Sequence, residues 1–185
     1  MILLAVFPHR PLLRGLVAGA LLLVFWRHYT ELRQARLTAR QWATSIAIGA
    51  AVFIAWIALD ADWATFGGES GGYQPLTAQG AIDWSRALPR FLVLAAVVPI
   101  MEELFWRSWL MRWIDARRAS RTAILLTSAL FAVEHSMWVA GLIAGLAYAG
   151  LYIKTNNLWA PVVAHSVTNA ILGTWILATG SWHLW

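Results

Sequence analysis

The sequence predicts an all-α protein: a polytopic bundle of about six transmembrane helices that together form one membrane domain, residues 1–185. Of the 185 residues, 60% are hydrophobic and 12% are charged, whereas a soluble domain is nearer half apolar and a quarter charged. The apolar residues form runs close to the ~20 residues that a helix needs to cross a bilayer. Arginine is concentrated in the short connections between these runs, as is typical of membrane proteins.

Six hydrophobic runs are the predicted spans. They cover residues 11–26, 43–59, 87–111, 122–139, 140–153 and 158–179. Pro99 interrupts the third run, and the fifth run is short, so we expect neighbouring helices to shield its ends. Gly141 and Gly145 in the fifth run form a small-x-x-x-small pattern, which lets membrane helices approach one another closely.

The charge of the connections predicts the orientation. Loops 27–40 and 112–121 each carry four arginines and one acidic residue, whereas loop 60–86 carries four acidic residues and one arginine. Lys154 lies between the fifth and sixth runs. The positive-inside rule therefore places loops 27–40, 112–121 and 154–157 in the cytoplasm. Six alternating spans satisfy all three placements, with both ends of the chain on the non-cytoplasmic side.

Composition excludes several other classes of protein. The chain has no cysteine, which excludes disulfides, thiolate catalysis and cysteine-ligated zinc. A net charge of +5 would favour nucleic-acid binding in a soluble protein. Here the arginines act as topology signals. The expected partner is therefore the lipid bilayer, and no binding of nucleic acid is expected. Tryptophans that flank the runs predict aromatic belts at the membrane surface: Trp26, Trp42, Trp159, Trp182 and Trp185.

Two adjacent carboxylates, Glu102 and Glu103, lie in the third run. Inserting an Asp, Lys or Arg at the centre of a membrane span costs roughly 2.5–3.5 kcal/mol. Ionisable residues in a span therefore mark function by default. Glu103 and Arg107 are four residues apart and can pair on one helix face. Glu102 is rotated by about 100° from Glu103. We expect Arg107 to neutralise Glu103 and leave Glu102 for chemistry; the alternative is an ion-pair cluster that only joins helices.

Two more polar positions interrupt apolar runs, His135 in the fourth and the pair His165 and Asn169 in the sixth. The pair is four residues apart and shares a helix face. By helical rise, Glu102 and His165 lie roughly 13–15 Å from the cytoplasmic ends of their spans, and His135 lies about 21 Å from its own. Taken singly, such residues more often join helices by hydrogen bonds. Their similar depth favours one shared site.

The grouped side chains suit hydrolysis. A glutamate accepts a proton from water, while His and Asn hold a carbonyl oxygen as negative charge develops. Glu102, His135 and His165 also offer oxygen and nitrogen ligands to zinc, so a glutamate mechanism and a metal mechanism stay open. The H-E-x-x-H motif of soluble zinc proteases is absent. We favour the glutamate mechanism, because only two histidines and no cysteine are available as strong ligands.

The ordered motifs resemble the CPBP family of intramembrane proteases, which includes CAAX prenyl proteases and bacteriocin-processing enzymes. The family pattern is E-E-x-x-x-R, then F-x-x-x-H, then H-x-x-x-N, and the matching residues here are Glu102, Glu103, Arg107, Phe131, His135, His165 and Asn169. The resemblance covers roughly residues 85–180, which we take as the catalytic core. Residues 1–84 form an N-terminal region of two spans and a glycine-rich loop.

The resemblance implies a role for each motif residue. Glu102 activates the hydrolytic water with help from His135, and His165 and Asn169 form the oxyanion site. The remaining motif residues support the first glutamate: Glu103, Arg107 and Phe131.

The residues around the motifs narrow the resemblance to one branch of the family. The stretches VVPIMEELFWRSWLMRW and WRHYTELR are similar to the CAAX protease-related branch found with bacterial exosortase and PEP-CTERM sorting systems. Members of that branch often have further N-terminal spans.

The resemblance implies an endopeptidase of the bacterial inner membrane that cleaves a membrane protein or peptide near a hydrophobic tail. The alternatives are a non-proteolytic accessory or immunity scaffold and, third, a proton or ion carrier. The sequence makes no prediction of oligomeric state.

The orientation can be tested by labelling, because the chain has no cysteine of its own. A membrane-impermeant maleimide is expected to label Asp62→Cys in intact spheroplasts and to label Lys154→Cys only after permeabilisation. The cysteine-free chain serves as the control. Rapid labelling of Lys154→Cys in intact spheroplasts would reverse the predicted topology.

Overall fold

A computed structural model describes residues 11–34, 36–66, 72–115 and 120–185. Within these residues the chain is almost entirely helical, with one isolated β-bridge between Leu76 and Ile82. The main helices there are α1 (Pro11–Val24), α2 (Ala39–Ala58), α3, α4 (Arg121–Val133), α5 (Trp138–Thr155) and α6 (Trp159–Thr179). Helix α3 is continuous and comprises Trp84–Leu92, Val93–Val97, Val98–Glu103, Leu104–Leu110 and Met111–Ile114. The predicted all-α bundle is confirmed.

Among the described residues, three helices are long and apolar enough to cross a membrane. These are α2, α5 and α6, with mean hydropathy values of 1.6, 1.2 and 1.3. Helices α1 and α4 are apolar but shorter. The chain is therefore a membrane protein, while passage of all six helices through the bilayer stays a prediction. The glycine-rich stretch 67–71 of the predicted loop and the loop residues Arg117 and Arg118 lie outside the described ranges.

Side-chain caps set the start of two helices. The Thr38 hydroxyl accepts from the Gln41 N–H (3.2 Å), and the Gln41 side chain accepts from the Thr38 N–H (2.9 Å). This capping box starts α2 four residues before the predicted position 43. The Asp83 carboxylate accepts from the Ser85 N–H (3.1 Å) at the start of α3. Both caps satisfy N–H groups that the first helical turn leaves without partners.

The boundary between the fourth and fifth predicted spans, at residues 139 and 140, was wrong. Helix α4 ends at Val133, a turn follows, and α5 begins at Trp138 and has 18 residues. His135 thus lies in the turn and not inside a helix. The His135 N–H donates to the Ala132 carbonyl at 3.0 Å, a three-residue step that ends the helical ladder. The fifth helix is consequently not short.

Helix α3 contains two π-helical turns, Val93–Val97 and Leu104–Leu110, one on each side of Glu102 and Glu103. Pro99 follows the first π turn, and the helix continues through it. A π turn widens the helix by one residue and is frequent at functional sites. The predicted interruption at Pro99 is therefore a change of helical pitch and not a break. It also alters how the two glutamates are presented to the neighbouring helices.

Glycine allows the closest helix contacts. Helix α4 packs mainly on α5, and α2 packs mainly on α6. A Cβ added at Gly145 would lie 2.9 Å from the Ser128 Cα, and one added at Gly49 would strike the Ala164 carbonyl oxygen. Both glycines are buried. The close contacts bring α2, α4, α5 and α6 around one centre, where the polar motif residues of α3 also lie.

Helix packing can be tested with two glycines of α5. Gly145→Ala is expected to lower the free energy of unfolding by about 1–3 kcal/mol, because the added methyl group forces α4 away from α5. Gly150→Ala is the matched control, since nothing lies within 4 Å of a Cβ there, and should change stability by less than about 0.5 kcal/mol. Denaturant titration in detergent measures both. Equal stability of the two variants would contradict the packing.

Candidate active site

The second glutamate, Glu103, forms a buried ion pair. Its carboxylate Oε2 lies 3.1 Å from Nε of Arg107, and both side chains have no exposed surface. Arg107 Nη2 donates to the Gly145 carbonyl at 3.3 Å, which attaches α3 to α5. The guanidinium also lies over the Phe131 ring, 5.4 Å from its centroid, in cation–π geometry. The pairing that the four-residue spacing predicts is present.

His165 connects the two glutamates. Its Nδ1 lies 3.1 Å from Glu103 Oε1, and its Nε2 lies 4.0 Å from Glu102 Oε2. The Nδ1–H group therefore donates to the buried carboxylate, and Nε2 faces Glu102. A separation of 4.0 Å is too long for a direct hydrogen bond, but one water molecule can bridge it. Glu102 Oε2 is buried without a hydrogen-bond partner among the described residues.

The turn after α4 fixes the His135 ring. Its Nδ1 lies 2.7 Å from the Phe131 carbonyl oxygen, one of the carbonyls that a helix end leaves without a backbone partner. An Nδ1–H donor to this carbonyl leaves Nε2 as the unprotonated nitrogen. The ring also packs against Phe131 and Trp56, with centroid distances of 4.6 and 5.5 Å. The four-residue spacing of the F-x-x-x-H motif thus matches a histidine that caps its own helix.

Asn169 bonds to the first π turn of α3. The Val98 N–H donates to the Val93 carbonyl, so the next carbonyl, that of Leu94, would need the N–H of residue 99. Pro99 has none. Asn169 Nδ2 donates to the Leu94 carbonyl at 2.8 Å instead. The amide retains a second N–H, so Asn169 satisfies the distorted helix and still has a donor for another group.

One cavity of about 200 Å³ brings the predicted groups together. Its walls include all four predicted catalytic residues and one supporting residue: Glu102, Phe131, His135, His165 and Asn169. The supporting pair Glu103 and Arg107 is buried behind this wall. A water molecule needs only about 10–15 Å³ of such volume, so the cavity has room for several waters.

A larger open cleft of about 720 Å³ lies between the end of α1 and the other face of α3. Its lining includes Tyr29, Trp109, Arg112 and Trp113, and none of the predicted site residues. The predicted site residues therefore line the smaller cavity and not this cleft.

Sequence reasoning missed Tyr148 and Thr168. The Tyr148 ring stacks on the His165 ring, with centroids 5.0 Å apart and an interplanar angle of 20°. Its hydroxyl donates to Thr168 Oγ1 at 2.7 Å, and that hydroxyl reaches the Gly49 carbonyl at 2.9 Å. Tyr148 was visible as a polar ring in an apolar helix, and a buried phenol needs a partner. Its contact with His165 depends on a neighbouring helix and has no sequence signal.

A zinc ion does not fit these side chains as a preformed site. In the part of the chain that the structure describes, no three His, Cys, Asp or Glu side chains are grouped to hold a metal ion. The predicted ligands Glu102, His135 and His165 share the cavity without converging on one point. Catalytic zinc needs three protein ligands in tetrahedral arrangement, which this donor set does not provide.

Comparison with known proteins bears on the same region. The family model described as type II CAAX prenyl endopeptidase Rce1-like matches residues 84–171, a range that contains every predicted site residue. This part of the chain resembles a CAAX-type membrane protease. The chain is also 26% identical over 108 residues to a Bacillus subtilis (strain 168) protein named "Putative membrane peptidase YdiL", covering 55% of this chain and 43% of that protein. The match thus spans less than half of the relative. No solved structure matches the chain.

The buried ion pair is testable through stability. Arg107→Met is expected to lower the free energy of unfolding by about 3–5 kcal/mol, because it leaves the Glu103 carboxylate buried without its cation. Combining it with Glu103→Gln should restore part of that loss. Arg86→Met is the matched control on the same helix, since Arg86 is exposed and lies over the Tyr73 ring, 5.4 Å from its centroid, and should cost at most about 1 kcal/mol. Similar losses for Arg107→Met and Arg86→Met would refute the assignment.

Proposed function

We propose that this chain is an intramembrane endopeptidase that hydrolyses a peptide bond of a membrane-associated protein near a hydrophobic tail. One observation carries the proposal: the Glu102 carboxylate faces His165 Nε2 across 4.0 Å, inside a cavity that His135 and Asn169 also line. A water molecule held between the two groups is in hydrogen-bond reach of a general base. The match to the Rce1-like family model supports the same class of activity.

The first step of the proposed reaction uses Glu102. Its carboxylate takes a proton from the bridging water, and the water oxygen bonds to the scissile carbonyl carbon. The contact of His135 Nδ1 with the Phe131 carbonyl leaves its Nε2 unprotonated. This Nε2 accepts a hydrogen bond from the other O–H group of the same water. This fixes the direction of attack. The low dielectric of the buried cavity strengthens each of these contacts.

The carbonyl oxygen becomes an oxyanion as the water adds. The second N–H of Asn169 and the Nε2–H of a doubly protonated His165 are its proposed donors. In that form His165 keeps its Nδ1–H on Glu103, at the 3.1 Å separation of the structure. The proton held by Glu102 then passes to the leaving amine nitrogen. The C–N bond breaks, and a carboxylic acid and an amine are released.

Supporting residues position these groups. Arg107 balances the charge of Glu103, so that Glu103 holds His165 without leaving a net negative charge behind the cavity. Phe131 packs against both histidines, with ring centroids 4.6 Å from His135 and 6.0 Å from His165. These contacts keep both imidazoles facing one cavity, as a preorganised site requires.

We place the protein in the bacterial inner membrane as a multi-pass chain. Support comes from the loop charges, the three apolar helices and the name of the Bacillus subtilis relative. The resemblance to the branch found with exosortase and PEP-CTERM systems suggests a sorted protein as substrate. Its hydrophobic tail would lie in the same bilayer as the enzyme.

Site-directed variants test the reaction. In proteoliposomes with a fluorogenic peptide that carries a hydrophobic tail, Glu102→Gln is expected to lower kcat by about 10²–10⁴-fold through loss of the general base. Asn169→Ala should lower kcat by about 10²–10³-fold if its amide stabilises the oxyanion. Unchanged thermal unfolding of both variants would exclude misfolding as the cause.

Asp62→Asn is the control for these variants, because this exposed carboxylate lies in the connection after α2 and does not line the cavity. It should retain nearly full activity. Cleavage by Glu102→Gln at the wild-type rate would disprove the glutamate mechanism. Full biological function without any cleavage would point to the accessory scaffold instead.

A further inference from the structure

A short segment after α6 forms part of the wall of the cavity. Gly180, with a φ of 72°, ends α6, and residues 181–185 turn back over the end of the bundle, with a short 3₁₀ helix at Trp182–Leu184. Leu184 and Trp185 line the same cavity as Glu102 and His165. We call residues 180–185 the return segment.

The return segment is held by aromatic contacts. Arg90 lies 4.5 Å from the Tyr73 ring centroid and 5.6 Å from the Trp185 ring centroid. Tyr73 meets Trp185 edge to face, with centroids 6.2 Å apart. Trp182 stacks on Trp185 at 5.9 Å. These contacts are made by side chains, and the backbone N–H groups of Trp182, Leu184 and Trp185 donate locally, to carbonyls of residues 180–182.

Two polar or backbone contacts add to them. His183 Nε2 lies 2.7 Å from Asp60 Oδ2, with side chains 44% and 36% exposed. The Gly72 backbone lies directly against the Trp182 carbonyl, at a φ of 58°. Exposed ion pairs contribute little to stability, and segments with few buried contacts open at low free-energy cost. The return segment therefore opens more readily than the helices around it.

The cavity leads towards this segment along α6. His165, Asn169, Leu172 and Ile176 are successive lining positions on that helix, and at 1.5 Å per residue they extend over about 16 Å. The path starts beside Glu102 and ends under Leu184. The ring contacts, the ion pair and the close backbone approach described above join the return segment to residues 60–90, at the end of the bundle that carries the acidic loop.

We propose that the return segment is a lid, and that a peptide reaches Glu102 from the non-cytoplasmic end of the bundle when this lid opens. The identity of the occupant as a peptide rests on the proposed function. The opening itself does not, because it is a motion of residues 180–185 away from Tyr73 and Arg90. Leu184 and Trp185 form part of the cavity wall, so a displacement of the return segment widens the path to Glu102.

A cysteine reporter measures lid opening without any cleavage. The chain lacks cysteine, so Leu172→Cys is a single reporter inside the cavity. Its reaction with a membrane-impermeant maleimide is followed in spheroplasts and in inverted vesicles. Adding Gly72→Ala places a methyl group against the Trp182 carbonyl, which should force the lid open and raise the labelling rate in spheroplasts by at least about tenfold.

Gly80→Ala is the matched control. Gly80 also has a positive φ, of 81°, but nothing lies within 4 Å of a Cβ there, so the same backbone strain arises without a push on the lid. Its labelling rate should equal that of the reporter alone. If Gly72→Ala does not fold, Arg90→Gln is the second opening variant, since it removes the contacts with Tyr73 and Trp185.

The outcomes separate the two proposals. Equal labelling rates in the opening and control variants, or faster labelling in inverted vesicles than in spheroplasts, would overturn the lid. Faster labelling of the opening variant than of the reporter alone in spheroplasts, together with no peptide cleavage by any variant, would support the lid and refute the protease.

A disulfide between Asp60→Cys and His183→Cys adds a further test. It should slow cleavage, and a reductant should restore the rate.

Discussion

The buried contact of Glu103 with Arg107 and His165 determines the geometry of the whole site. Three helices meet there, since the two charged groups belong to α3, the histidine to α6, and the Gly145 carbonyl that accepts from Arg107 to α5. A carboxylate in this position is tolerated only with its partners in place. Glu102, one residue earlier, lines the cavity, and its Oε2 has no hydrogen-bond partner among the described residues, so adjacent residues of the same type have different environments.

The motif spacings have a local physical basis in the backbone. His135 bonds to the carbonyl of Phe131, and Asn169 bonds to the carbonyl that Pro99 leaves without a donor. Both carbonyls arise where helical hydrogen bonding is interrupted. The side chains that line the cavity therefore also stabilise the irregular backbone around it. A substitution at either position is expected to affect the shape of the site as well as its chemistry.

Much of the helical fold followed from the hydrophobic runs, because lipid demands long apolar helices. The pair Glu103 and Arg107 followed from helical spacing. The end of α4 did not follow from the sequence. Residues 122–139 are apolar enough for the helix to continue, and it stops because of hydrogen bonds made in the turn. The π turns and the contact of Tyr148 with His165 were also beyond sequence reasoning. They depend on which carbonyls and rings meet between helices, and that is decided by tertiary packing.

The hydroxyl groups of Tyr148 and Thr168 form a chain of hydrogen bonds to the Gly49 carbonyl. This chain joins the part of the sequence that resembles the family, after residue 84, to the N-terminal region before it. Its last acceptor lies on α2, whereas the ring at its other end supports a histidine of the candidate active site. The N-terminal helices are thus part of the scaffold that holds this imidazole in place. A recombinant fragment limited to the family-like half would retain every motif but lose one contact that holds the His165 ring in the candidate site.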